Sequence, residues 1–125
     1  MRQEIKDRWV NALESGQYRQ GFGQLHAVSV DGIEQFCCLG VLSNLAYLDG
    51  VVPRRFVDAD SLQPGVYVYS RCNMASLPTE VVEWAGLDAT NPVVTFGDDL
   101  RTLSSLNDHV ALPFTEIAIV IKESL

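Results

Sequence analysis

Phe36-Cys37-Cys38-Leu39-Gly40-Val41-Leu42-Ser43-Asn44-Leu45-Ala46-Tyr47-Leu48 is the most apolar run of the chain, and no charge interrupts it before Asp49. Leu42, Leu45, Ala46 and Leu48 recur at helical spacing, which predicts a helix. A helix this apolar in a small globular domain has to be covered on more than one side. The rest of the chain is therefore expected to pack around it. Gly40 falls in its first turn, where a missing side chain lets a neighbouring backbone approach.

Upstream, Ile5, Trp9, Ala12 and Leu13 share one face of a first helix that Ser15-Gly16 ends. Residues 17–25 follow as a loop in which Gly21 and Gly23 flank Phe22. His26-Ala27-Val28-Ser29-Val30 and Ile33-Glu34-Gln35-Phe36 then flank Asp31-Gly32, a hairpin signal that favours a type I′ turn. The second strand runs straight into the apolar helix, which Asp49-Gly50 closes.

Downstream, residues 51–62 read as irregular, and Pro64-Gly65 marks a turn before Val66-Tyr67-Val68-Tyr69-Ser70-Arg71 alternates with period two. Thr79 is placed to cap a short helix from Glu80 to Ala85, presenting Val81, Val82 and Trp84 before Gly86. Pro92-Val93-Val94-Thr95-Phe96 reads as a short strand. Leu100, Leu103 and Leu106 at three-residue spacing predict a short helix ending near Asn107-Asp108. Pro113 opens a last helix with Phe114, Ile117, Ala118 and Ile121 facing inward. Together these elements predict one compact α+β domain over residues 1–125, with a β-hairpin and short strands packed against four or five helices.

Composition narrows the function classes. Sixteen Asp and Glu against nine Lys and Arg give a formal net charge of -7. Such a field repels nucleic-acid phosphates unless the basic residues cluster on one face. No apolar run reaches the ~20 residues of a bilayer span, so no membrane partner is expected. The charged start Met1-Arg2-Gln3-Glu4-Ile5-Lys6-Asp7 lacks the apolar segment of a signal peptide, and a cytoplasmic location is expected. Three cysteines, two of them adjacent, build no disulfide framework; Cys37 and Cys38 are expected as buried thiols.

Catalysis finds little footing. His26 and His109 are the only histidines, and neither has an acid at motif spacing. A Cys-His pair built on Cys37 or Cys38 would need a depressed thiol pKa at the helix N-terminus. Metal-ligand spacings are lacking, and the pairs Asp58 with Asp60 and Asp98 with Asp99 read as solvated loop acids. The expectation is no enzyme, no metal and no cofactor. A helix-turn-helix over residues 106–121 would offer Thr115 and Glu116 with only Lys122 basic, which suits DNA poorly.

Ligand binding has better candidates. Tyr67, Tyr69 and Arg71 fall on one strand face and put aromatic planes beside a guanidinium, a pairing suited to a base and a phosphate. Tyr18, Arg19, Gln20, Gly21 and Gly23 form a loop whose glycine amides could cradle an anion. Asn107 and Asp108 could bond ribose hydroxyls. Each has an ordinary structural alternative: an aromatic strand edge, a tight turn, and a self-bonded helix end.

With these residues in view, the chain resembles a family of small proteins encoded in tailed-phage and prophage genomes. The matching pieces are residues 9–25, from Trp9-Val10-Asn11-Ala12-Leu13 to Gly21-Phe22-Gly23-Gln24-Leu25, then Phe36-Cys37-Cys38-Leu39-Gly40-Val41-Leu42, Leu77-Pro78, Trp84-Ala85-Gly86-Leu87, Leu106-Asn107-Asp108 and Phe114-Thr115-Glu116-Ile117-Ala118. Near Leu25, where the family commonly carries a basic residue, this chain has His26. The resemblance implies a phage accessory protein in the host cytoplasm and no particular activity. Such proteins often counter host defence. The leading expectation is therefore a non-catalytic anti-defence protein that sequesters a small nucleotide-like ligand, as a homo-oligomer. An acidic inhibitor that binds a host defence protein is the alternative, and a helix-turn-helix-like DNA-binding regulator comes third.

Overall fold

The computed structural model describes residues 1–58, 65–71 and 73–125. Among these the elements run α1 (Gln3–Glu14), β1 (His26–Val28), β2 (Glu34–Phe36), α2 (Cys38–Leu48), β3 (Arg54–Val57), β4 (Gly65–Tyr69), α3 (Thr79–Ala85), β5 (Val93–Phe96), β6 (Asp99–Thr102), α4 (Leu103–Asp108) and α5 (Phe114–Ser124). Five helices and two antiparallel sheets make this an α+β domain, as the sequence predicts. Asp60, Leu62, the turn at Pro64 and Cys72 lie outside the described residues.

The apolar run is the centre of the core. Every residue of α2 from Cys38 to Ala46 is buried, and helices α1, α3 and α4 pack against it together with β2. Gly40 is obligatory: a Cβ there would stand 1.6 Å from the Leu25 carbonyl oxygen. Trp9 on α1 is wholly buried and donates its indole N–H to the Cys38 carbonyl at 2.9 Å. Arg8 reaches Asp49 with two hydrogen bonds of 2.7 and 3.0 Å, fastening α1 to the exposed end of α2.

The larger sheet has the order β2-β1-β4-β3 with every neighbour antiparallel; β5 and β6 form a separate hairpin that packs on α5 and α4. The β1–β2 connection differs from the expected type I′ turn. Gly32 has φ +80, but Asp31 is not left-handed. Ser29 N–H donates to the Ile33 carbonyl and Gly32 N–H to the Ser29 carbonyl, both at 2.9 Å. This is a three-residue loop with glycine in the bulge position, which leaves each strand only three residues long.

Four further expectations are corrected. Residues 54–57, read as irregular, form β3, because Pro53 precedes the strand rather than interrupting it and the partner β4 supplies the ladder. Ser70 has φ 60 and turns the chain, so Arg71 leaves the row that Tyr67 and Tyr69 begin. Thr79 is the first residue of α3, with Pro78 at the cap position and no side-chain cap. Leu100 belongs to β6 and is 76% exposed; the three-residue leucine spacing spans a strand and a helix.

Candidate ligand-binding cleft

Register places one residue from each strand of the larger sheet in a single row. Phe36 pairs with His26, and Tyr67 with Phe56, while the β1–β4 pairing sets Tyr67 beside His26. The rings follow: Phe36 to His26 at 4.0 Å between centroids, His26 to Tyr67 at 4.3 Å, and Tyr67 to Phe56 at 5.3 Å. Tyr18 closes the end of this ladder, edge-on to Phe36 at 4.9 Å. Aromatic contacts of this kind add to the burial energy and fix the ring planes.

A buried polar network runs alongside. His26, wholly buried, has Nε2 at 2.7 Å from Glu34 Oε1 and Nδ1 at 2.8 Å from the Tyr69 hydroxyl. An ionised carboxylate only accepts, so Nε2 carries the proton and Nδ1 accepts from Tyr69. Tyr69 also lies 3.3 Å from Asn44 Oδ1, the longer of its two contacts. Asn44 Oδ1 accepts from Arg54 at 2.7 Å, and Asn44 Nδ2 donates to the Tyr18 hydroxyl at 3.0 Å. Arg54 lies over the Tyr47 ring at 4.1 Å and the Tyr67 ring at 4.6 Å. Among the described residues no buried side-chain nitrogen or oxygen lacks a partner.

Burial lowers the His26 pKa, since it penalises the charged ring, and the Arg54 charge adds to this; the Glu34 hydrogen bond and charge oppose it. Burial pushes the Tyr69 hydroxyl up, against the influence of Arg54. Cys37 is pushed up to about 11 by burial, and Cys38 is raised well above its usual value for the same reason. Both sulfurs are inert thiols at neutral pH.

The solvent side of this network is a cleft of about 450 Å³, lined by Gln17, Tyr18, Arg19, Ile33, Glu34, Phe36, Asn44, Leu48 and Arg54. That size suits a small molecule. A larger depression of about 610 Å³, beside Val93, Val94, Thr95, Gly97, Glu123 and Ser124, brings no charged or aromatic groups to face each other. Arg19, Glu34 and Arg54 all line the first cleft, and no ion pair joins them among the described residues.

The expected site residues divide. Tyr18 and Arg19 line the cleft, and Tyr67 and Tyr69 support it from beneath. Tyr69 is wholly buried and Tyr67 is stacked on His26 and Arg54, so neither offers the open stacking face foreseen. Arg71 lies in the turn after β4, and its carbonyl accepts from the Arg55 side chain at 3.5 Å. Gly21 N–H donates to the Phe36 carbonyl at 2.7 Å, and Gly23 N–H to Asp108 Oδ1 at 3.0 Å. The glycine amides are thus spent inside the protein, and the close approach at Gly21 is to Gln35, 2.7 Å from where a Cβ would sit. Asn107, wholly buried, accepts from Gln20 Nε2 and Cys38 N–H and donates to the Gly21 carbonyl and Asp108. Gln20, Gly21, Gly23, Asn107 and Asp108 therefore hold the loop in place rather than face the cleft.

Glu34, Asn44, Tyr47 and Arg54 were not singled out from sequence, and His26 was weighed only as a catalytic histidine and as the residue beside Leu25. The hairpin alternation does set His26, Glu34 and Phe36 on one face, and that signal was available. Arg54 had none, because its strand is recognisable only beside β4. Among the described residues no group of three metal-ligating side chains comes together, and no helix is long and apolar enough to cross a membrane. Neither a curated protein nor a solved structure matches the chain. A family model does, over residues 1–125: the chain belongs to the family described as a domain of unknown function, DUF8296.

Proposed function

We propose that the protein is a non-catalytic binding protein for a small nucleotide-like anion, held in the cleft between the residue 17–25 loop, the β1–β2 hairpin and α2. The observation that carries this is Arg54. It is half-buried between two tyrosine rings, held by Asn44, and without a carboxylate partner among the described residues. A guanidinium kept in this way at a cleft wall is a fixed receptor for phosphate or carboxylate. Arg19 adds a second positive charge, and Ile33, Leu48 and Tyr18 supply apolar and aromatic surface for a base. The inert thiols and the occupied His26 support binding over chemistry. The cleft is built within one chain, so this reading requires no second copy.

A role as a phage accessory protein that sequesters a host defence signal rests on the resemblance of residues 9–25 and 36–42. Isothermal calorimetry against cyclic nucleotides and NAD-derived signals tests the binding. At least one should bind, with affinity reduced at least about tenfold by Arg54→Met, since hydrogen bonds to a charged group contribute ~1.5–3 kcal/mol. Absence of heat and of thermal shift across the panel contradicts it.

The alternative, an inhibitor docking on a host protein, draws on the net charge of -7 and on the outer face of the β5–β6 hairpin, where Val93 and Leu100 are exposed. Affinity capture giving a stoichiometric protein partner without bound nucleotide would favour it. DNA binding gains nothing from α5, whose exposed positions carry Glu116 and Glu123 and whose Lys122 is paired with Glu14.

A further inference from the structure

We propose that Glu34 determines which ligand the cleft accepts. The molecule whose anionic end meets Arg54 and Arg19 presents two adjacent N–H donors to the Glu34 carboxylate, as a guanine edge does. This rests on the cleft being the binding site.

A glutamate on a three-residue strand, with a side chain 52% exposed, would ordinarily be free to sweep through solvent. Glu34 is not. One of its oxygens is fixed at 2.7 Å by the Nε2 proton of His26. That ring is itself clamped between Phe36 and Tyr67, and its other nitrogen, Nδ1, is held at 2.8 Å by the Tyr69 hydroxyl. A wholly buried imidazole, kept neutral against its usual titration, thus aims a surface carboxylate into the cleft. Arg19 and Arg54 line the same cleft but do not neutralise it.

The cleft therefore holds opposite charges that are separated rather than paired. A simple dianion would be attracted to the arginines and repelled by Glu34. A ligand that is anionic at one end and donor-bearing at the other satisfies both. An ionised carboxylate is acceptor-only and has two oxygens side by side, so its best partner is a pair of parallel N–H bonds. Guanine has such a pair in N1–H and its 2-amino group. Hypoxanthine keeps only the first, and uracil sets its single N–H between two carbonyls that the carboxylate would repel. Specificity built on a fixed polar group discriminates strongly, because the wrong ligand leaves that group unpaired.

The test uses the native chain, Glu34→Gln, Glu34→Ala and Arg54→Met, each titrated with guanosine, inosine and uridine monophosphates and with inorganic pyrophosphate at fixed ionic strength. Guanosine monophosphate should bind the native chain at least about tenfold tighter than the inosine or uridine compound. Both Glu34 variants should erase that preference. Glu34→Gln, whose amide oxygen can still accept from His26, should keep the native melting temperature. Glu34→Ala should lower it by leaving the buried His26 N–H unpaired, and Arg54→Met should weaken every ligand. Nitrogen NMR should show His26 in the Nε2–H form, with Nε2 shifting on addition of guanosine monophosphate and less with inosine monophosphate. If pyrophosphate binds through Arg54 but the bases are not distinguished, or Glu34→Gln changes nothing, the role of Glu34 is overturned and the cleft reading stands. If none of the four probes binds, the role of Glu34 is overturned, and the cleft reading is decided by calorimetry with cyclic nucleotides and NAD-derived signals.

Discussion

His26 accepts a desolvation cost that a surface histidine would avoid, and the cost has a measurable sign. Its folded pKa is lowered from 6.5 chiefly by burial, while Glu34 acts in the opposite direction. The groups facing it are Glu34 on β2, Arg54 on β3, and Tyr67 and Tyr69 on β4. As pH falls below 6.5 the unfolded chain takes up a proton that the folded chain refuses. The stability that the neutral ring provides is complete above that value and is lost as pH falls through the folded pKa. Asp49 and Glu80, lowered by hydrogen bonds from Arg8 and Ser70, act in a separate window below about pH 4.5. Between pH 7 and 5 the native chain should therefore lose stability more steeply than His26→Gln in urea unfolding. Equal slopes would mean that His26 is not held neutral. Cys37 and Cys38 attract the eye in the sequence, yet their raised pKa values leave them as packing groups beside Gly40.

At the scale of elements, the residue 17–25 loop owes its shape to α4. Asn107 bridges it to the start of α2, bonding Gln20, Gly21 and the Cys38 amide at once. The N-terminus of α2 has no side-chain cap of its own at Cys37, so Asn107 supplies one from a distance. Asn107→Ala would leave the Cys38 N–H and the Gly21 carbonyl without partners, and should lower unfolding free energy by about 2–5 kcal/mol. Hydrogen exchange at Gly23 should accelerate in the same variant. A loss below 1 kcal/mol with exchange unchanged would show that the loop stands without this residue.

Elements with local signals were legible: Leu42 to Leu48 announced α2, Pro113 announced α5, and Gly16, Gly50 and Gly86 marked helix ends. Strands defined by partners were not. Arg54-Arg55-Phe56-Val57 carries no clean alternation, and β6 was absorbed into a leucine spacing. The loop glycines suggested a ligand because a close backbone approach reads the same whether the neighbour is Gln35 or a phosphate. The cleft was half visible for the same reason. Tyr18 and Arg19 stood out, while Glu34 and Arg54 became significant only when the fold placed both along one cleft.

On the scale of the whole molecule, an acidic chain places two arginines at one cleft, and the proposed binding of an anion rests on this local reversal of sign. The rest of the fold serves that placement: α2 supplies Asn44 and Tyr47, the sheet supplies the aromatic ladder, and α4 fixes the loop carrying Arg19. The central claim is that the cleft at Arg54 is the binding site. It is tested most directly by NMR of the arginine side-chain N–H groups during titration with guanosine monophosphate. The account predicts a saturable shift of the Arg54 signal, with Arg101 on the remote hairpin unmoved and the response lost in Arg54→Met. A saturable response that leaves Arg54 unmoved, or one that persists in Arg54→Met, would contradict it.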